Sequence, residues 1–281
     1  RKKYIKPRES DSMKNKRIAS VLLLLAVVLA AVAGIKTYVD YQVRAAAERE
    51  YESLAELARE TEAPTEVSTE AETEETEAPY VSPIQFDELR KINPDIVGWL
   101  KVEGTETDYP IVQTGNNETY LNTAFEGKKS VAGAIYLDYE SEPDFSGRHN
   151  IIYGHNMKNG TMFHDMLKYK DKSFYQEHKT FRFDTIYKGG QGTYEIIAAG
   201  YSKIYPEDSD AFKYYQYAGI TSRSDFNEYL KGVKELSEYN TGVSAEYGDQ
   251  LVTLSTCAYH EKNGRFFIVG KRTDAKQVKP Q

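Results

Sequence analysis

The chain has 281 residues, a formal net charge of −7, 28% charged and 40% hydrophobic residues. Its one cysteine, Cys257, excludes an intrachain disulfide framework and a cysteine-rich zinc site. Beyond the first 17 residues there is no basic stripe and nowhere a Gly-rich phosphate loop, which argues against a nucleic-acid partner and against Walker- or dinucleotide-type nucleotide binding.

The average composition hides a strong asymmetry. Residues 1–17 carry eight Lys/Arg against two acids, and residues 18–35 carry no charge. That run is about 27 Å of helix at about 1.5 Å per residue, enough to span a hydrocarbon core. Lys14, Lys16 and Arg17 sit directly before it, so the positive-inside rule predicts a cytoplasmic tail (1–17), an anchor (18–39) and everything after it outside. A cleaved signal peptide is the alternative. Its apolar core is only about 7–15 residues, shorter than this run, although Ala31-Val32-Ala33 has the small-x-small form of a cleavage site.

Residues 40–60 are rich in Ala, Glu, Leu and Arg, which predicts that the anchor helix continues outward. Residues 61–79 are almost entirely Glu, Thr, Pro and Ala and cannot bury enough apolar surface to fold. Residues 40–79 therefore read as a helical, then acidic and disordered, spacer, and 80–281 as the globular domain. Within that domain Phe86, Leu89 and Ile92 fall at helical spacing, and Asn93-Pro94 ends the helix. Eight short β-rich segments follow, near 99–102, 109–113, 134–137, 150–154, 181–185, 194–201, 251–257 and 265–272. Turn residues such as Gly115-Asn116-Asn117, Ser146-Gly147, Gly189-Gly190 and Asn263-Gly264 separate most of them. Two helices are predicted among the strands. One lies around 161–168, with Met162, Phe163, Met166 and Leu167 on one side. The other lies around 225–236, with a stripe of Phe226, Tyr229, Leu230, Val233 and Leu236 behind a Ser222/Ser224 cap. Eight short strands with few long helices predict a closed or nearly closed β-barrel.

Cys257 ends a strand-like run, where side chains are often presented to a site. A lone cysteine is commonly just a small buried hydrophobe, but an idle free thiol outside the cell is a liability. A thiol needs a neighbouring imidazole or guanidinium to become a nucleophile at neutral pH. Of the five histidines, His149, His164 and His178 read as surface residues, and His260 stays open. His155 follows the apolar run Ile151-Ile152-Tyr153 and a glycine that permits close approach at a strand end, so it is the best candidate partner. Arg265 opens the strand after Cys257. Were the two strands antiparallel neighbours about 5 Å apart, its guanidinium would reach the site; an ordinary surface arginine is the alternative. Ser255 shares the face of Cys257 by the two-residue strand period. Asp138, Glu140, Glu142 and Asp144 lie close together and read as a solvated loop rather than a metal site.

The run Thr253-Leu254-Ser255-Thr256-Cys257, with Arg265 on the next strand, resembles the TLxTC…R signature of the sortases. Tyr153-Gly154-His155 followed by Asn159-Gly160-Thr161-Met162-Phe163 is similar to class B members. The resemblance extends over roughly residues 84–272 and includes Asn117-Glu118-Thr119-Tyr120-Leu121. It implies an eight-stranded β-barrel with N-terminal helices and a helix inserted before the Cys-bearing strand, here within 205–250. It implies Cys257 as nucleophile, His155 as general acid/base and Arg265 as stabiliser of the oxyanion. Asn117, Leu121, Tyr153 and Ser255 would line the groove for the sorting signal, with Tyr214 and its neighbours closing it. Ala258 stands where some relatives carry an acidic contact.

The implied reaction is a transpeptidation that needs no metal or cofactor. The substrate would be a secreted protein with an NPxTx-like or (S/P)PxTG-like C-terminal motif, cleaved after Thr, and the acceptor an amine of a peptidoglycan precursor at the membrane. Alternatives are a pilin-polymerising sortase that uses a Lys acceptor, a Cys-dependent cell-wall hydrolase, and an anchored non-catalytic binding module.

Overall fold

The computed structural model describes residues 9–59, 82–187 and 190–273. The expected acidic spacer, 61–79, and Gly189 of one expected turn lie outside the described residues. The chain divides into two compact units, Arg1–Ala46 and Ala47–Gln281.

The first helix, α1, runs Glu9–Leu57. Its stretch Lys16–Gln42 is long and apolar enough to cross a membrane. In the second unit the last turns of α1 are part of the barrel's core. Tyr51 and Leu54 are buried, as is Ala58 just after the helix, and the Tyr51 hydroxyl donates to the Gly133 carbonyl at 2.8 Å. This stretch falls within the expected spacer, yet it contributes apolar side chains to the globular core.

Helix α2, Phe86–Ile92, buries Leu89. It stops at Asn93, which Pro94 holds extended (φ −140, ψ 111). The Asn93 carboxamide then donates to the Tyr120 hydroxyl and the Phe125 carbonyl. The eight strands are β1 Ile96–Lys101, β2 Asp108–Val112, β3 Ile135–Leu137, β4 His149–Tyr153, β5 Thr180–Thr185, β6 Gly192–Lys203, β7 Leu251–Cys257 and β8 Gly264–Arg272. They close into a barrel in the order β1-β2-β3-β4-β7-β8-β6-β5, with β5 returning to β1. The fold class expected from the sequence is the one observed.

Two of the pairings are parallel, β2 with β3 and β4 with β7. A parallel pair needs a crossover. The one between β4 and β7 carries the loop after β4, a short helix α3 (Lys172–Glu177), β5, β6 and the inserted helix α4 (Arg223–Glu235). The Ser222 hydroxyl caps α4 by accepting from the Asp225 N–H at 3.0 Å. Strands β7 and β8 are buried on both faces, so their alternate residues serve two cores. Val252, Leu254, Phe266 and Ile268 fill the barrel, whereas Leu251, Phe267 and Val269 pack with Phe226, Tyr229 and Val233 of α4.

Three local features depart from the sequence reading. The helix expected over 161–168 is a 3-10 segment, His164–Lys170, and Met162 lies at φ +59. Tertiary bonds displace the helical ones: the Met162 N–H donates to the Tyr109 hydroxyl at 3.0 Å and the Phe163 N–H to the His155 carbonyl at 2.8 Å. Helix α3 has no signal in the sequence, because its six residues carry too little periodicity. His149 is a core residue rather than a surface one. Its ring bridges the Tyr217 carbonyl (2.6 Å) and the Thr253 hydroxyl (2.8 Å) and packs, tilted by 38°, against the Tyr229 ring at 4.1 Å between centroids.

Burial pushes the His149 imidazole down to about 4, against an ordinary value of 6.5. The unfolded chain therefore binds one more proton than the folded one between those values, and stability contributed by neutral His149 is lost as pH falls through that window. The expected slope from this residue is about 1.4 kcal/mol per pH unit. Thermal unfolding from pH 7 to 4 should be less steep in His149→Gln than in wild type; parallel curves would exclude this coupling. A second comparison tests the core role of α1. A chain starting at residue 80 should melt on the order of 5–10 °C below one starting at residue 47, because it lacks the buried Tyr51 and Leu54.

Candidate active site

The parallel register of β4 on β7 pairs Tyr153 with Ser255. Both strands therefore end at the same rim of the barrel. His155 lies two residues beyond the end of β4, and Cys257 is the last residue of β7. Strand β8 runs antiparallel to β7 and starts at that rim, with Arg265 opposite Cys257. Topology alone thus gathers three residues separated by up to 110 positions in the chain.

Local backbone requirements sharpen the placement. A Cβ on Gly154 would stand 2.7 Å from Cγ of Phe163 and 2.5 Å from Cδ1 of Ile135, so only glycine fits before His155. Asn263 takes φ +59 in the turn into β8, and Gly264 follows with the Ala258 carbonyl in the space a Cβ would need.

Cys257, His155 and Arg265 share a cavity of about 240 Å³ with Leu121, Tyr136, Tyr153, Ile204, Tyr214, Tyr215 and Ser255. The thiol is partly buried. The His155 Nε2 lies 2.8 Å from the Leu121 carbonyl. A carbonyl only accepts, so Nε2 carries a proton and Nδ1 is the nitrogen free to take one up. The imidazole beside it lowers the Cys257 thiol from its ordinary 9.0, burial opposes this, and the Arg265 guanidinium adds to the lowering. His155 is raised above 6.5, chiefly by Cys257, with the Leu121 carbonyl also favouring the protonated ring and burial and Arg265 opposing it.

Of the four expected groove residues, Leu121, Tyr153 and Ser255 line the cavity and Asn117 does not. The Asn117 carboxamide is turned to a polar cluster behind the wall. Its Nδ2 donates to Asp138 Oδ2 at 2.8 Å and its Oδ1 accepts from the Tyr139 N–H. Asp138 is buried rather than part of a solvated loop, and it also accepts from the Tyr153 hydroxyl at 3.0 Å. Ser255 exchanges a 2.7 Å hydrogen bond with the Tyr214 hydroxyl, which ties the insertion to the wall. Sequence reasoning missed Asp138 and Tyr136. Tyr136 lies within β3 and Asp138 directly after it, and the topology sets that strand beside β4.

A larger cavity of about 410 Å³ lies between the last turns of α1 and β2, lined by Glu48, Glu52, Glu106 and Asp108 among others. Among the described residues its lining has hydroxyls and carboxylates but no cysteine, whereas the first cavity holds Cys257 together with His155 and Arg265.

The profile of the Sortase domain family matches residues 100–273, more than half of the chain. Sortase B of Staphylococcus aureus is 32% identical over 265 residues, covering 92% of this chain and 98% of the relative. Sortase B of Listeria monocytogenes is 39% identical over 189 residues, covering 66% and 73%. The chain belongs to the class B sortases. Solved structures agree. The Staphylococcus aureus sortase B–substrate complex superposes with a TM-score of 0.58 at 33% identity, covering 67% of this chain and 84% of that one. Sortase B from Bacillus anthracis in complex with AAEK1 gives 0.66 at 27% identity, covering 84% and 100%. As a sortase the protein is a cysteine transpeptidase, which removes the non-catalytic binding module from the readings left open by the sequence.

The electrostatics yield a specific expectation for the sortase. A guanidinium is permanently charged and favours the deprotonated form of every neighbour. Arg265→Met should therefore raise the titration of both Cys257 and His155. The pH dependence of iodoacetamide alkylation reads the thiol and NMR of the ring protons reads the imidazole. An unchanged thiol midpoint would remove Arg265 from the site's electrostatics.

Proposed function

We propose that this sortase cleaves a C-terminal sorting motif after Thr through a thioester on Cys257 and passes the protein to an amino group of a cell-wall precursor. The observation that carries the reading is the meeting of Cys257, His155 and Arg265 at one rim of the barrel, in one cavity, with the thiol lowered and the imidazole raised. The Cys257 thiolate attacks the Thr carbonyl carbon, and the developing oxyanion lies against Arg265. Collapse breaks the peptide bond, and His155 Nδ1 gives its proton to the leaving amine. The incoming amine attacks the thioester, His155 takes up its proton, and Cys257 leaves as thiolate. Leu121, Tyr153 and Ser255 form the wall against which the motif lies. Asn117 acts on it only through the Asp138–Tyr153 cluster.

In the cell we place residues 1–17 inside, 18–39 in the membrane and the barrel outside. This is supported by the apolar stretch Lys16–Gln42 and the cluster of basic residues on its N-terminal side. Secreted proteins with an NPxTx-like or (S/P)PxTG-like motif are the expected substrates. The Staphylococcus aureus relative solved as a substrate complex supports substrate binding by this barrel.

Mass spectrometry of the detergent-solubilised chain with NPQTN, SPKTG, PPKTG and LPxTG peptides tests the reading. An adduct on Cys257 that an added amine converts to a new amide is the expected result, and the best peptide names the motif. Release of free acid alone, whatever amine is present, would favour a hydrolase. Cys257→Ala should abolish the adduct, His155→Ala nearly abolish turnover, and Arg265→Ala lower it by about two to three orders of magnitude.

A further inference from the structure

The main-chain ladder between β4 and β7 ends where the Gly154 N–H donates to the Ser255 carbonyl at 3.1 Å. Two side chains then continue it, one from each strand. The Thr256 hydroxyl donates to the Gly154 carbonyl at 2.8 Å. The Asn156 carboxamide reaches back and donates through Nδ2 to the Cys257 carbonyl at 2.9 Å. The pair brackets His155 on one chain and Cys257 on the other.

Asn156 is buried to 6% exposure and Thr256 to 2%. The Asn156 carboxamide has one admissible orientation, because its Oδ1 accepts from His164 Nδ1 at 2.8 Å while its Nδ2 faces a carbonyl. Its own main chain is fixed as well, by the Tyr259 hydroxyl on its carbonyl (3.2 Å) and by a bridge to Met162. The Asn156 side chain does not line the active-site cavity. Whatever it contributes passes through its two neighbours.

We propose that Asn156, with Thr256 as its counterpart, is the positioning residue that sets the separation and facing of His155 and Cys257. The inference rests on those two residues acting as acid/base and nucleophile. The physical reason is geometric. Both residues lie beyond or at the end of a strand, where the β4–β7 backbone ladder no longer ties one to the other. A displacement of about 1 Å at a reacting centre costs on the order of 100-fold in rate. The side-chain rungs supply the missing restraint, and only a group that donates at one end and accepts at the other can occupy position 156.

The test uses the full chain in detergent, a cleavable sorting-motif peptide, and four variants: Asn156→Ala, Asn156→Asp, Thr256→Val and Cys257→Ala. Asn156→Ala should lower kcat on the order of 10- to 100-fold with KM changed less than about twofold, while its unfolding midpoint and the alkylation of Cys257 show a folded protein. Thr256→Val, which keeps the shape and removes the hydroxyl, should lower kcat in the same manner. Asn156→Asp loses the donor when ionised and regains one when protonated. Its kcat relative to wild type should therefore rise on acidification, whereas the Asn156→Ala ratio stays flat. Wild-type kcat in Asn156→Ala and Thr256→Val, or losses that only track the folded fraction, would overturn the proposal. Retained cleavage by Cys257→Ala would instead overturn the underlying assignment of the nucleophile.

Discussion

The parallel pairing of β4 with β7 is the constraint on which the site depends. Antiparallel neighbours would put the end of one strand beside the start of the other, and His155 and Cys257 would lie at opposite rims. Parallel neighbours put both carboxyl ends at one rim, at the cost of a long crossover. That crossover supplies the loop after His155, two further strands of the barrel and the insertion whose Ile204, Tyr214 and Tyr215 wall the cavity. The long-range connection and the active-site wall are the same piece of chain.

The crossover is held down by polar contacts as well as apolar ones. Thr253, Ser255 and His149 lie on the outer face of β4 and β7, beneath the insertion, and each meets an aromatic group or carbonyl from it. Tyr229 bonds Thr253, Tyr214 bonds Ser255, and the Tyr217 carbonyl meets His149. Apolar residues at these positions would pack equally well but would not fix which tyrosine sits where. The second core beneath α4 adds burial, and the hydrogen bonds add a unique register. Ser255 thus belongs both to the cavity wall and to the seam that locates it.

All eight strands, α2 and α4 were legible in the sequence because each carries its own period, cap or breaker. The TLSTC run and the YGH triplet make Cys257, Arg265 and His155 stand out in the sequence itself. What escaped depends on pairs distant in sequence. His149 reads as polar until Thr253 and Tyr217 close on it. Asp138 reads as one of four loop acids until Asn117 and Tyr153 turn toward it. The stretch 161–168 has a helical pattern, but Tyr109 and His155 claim its N–H groups for tertiary bonds. The C-terminal end of α1 carries a weak apolar stripe, Tyr51 and Leu54, among many Glu residues, and packing into the barrel's core gives it a partner.

The charge inventory of the cavity explains why this arrangement suits acyl transfer. Tyr136, Tyr153 and Tyr214 all have hydroxyls pushed upward by burial, Tyr214 to about 12, so they stay neutral and add no anion beside the thiol. The carboxylate of Asp138 is held behind Tyr153, outside the cavity lining. Among the described residues lining the cavity, Arg265 is then the one permanently charged side chain, and the thiol–imidazole pair is the part that changes charge during a proton transfer. Burial alone would raise the thiol and leave it inert. His155 and Arg265 reverse that shift while the thiol stays partly buried. The same low-dielectric wall that opposes the thiolate strengthens the attraction between an oxyanion and the guanidinium. The cost of burying the nucleophile and the gain in stabilising what it forms come from one property of the site, and the register of β7 on β8 puts both groups within it.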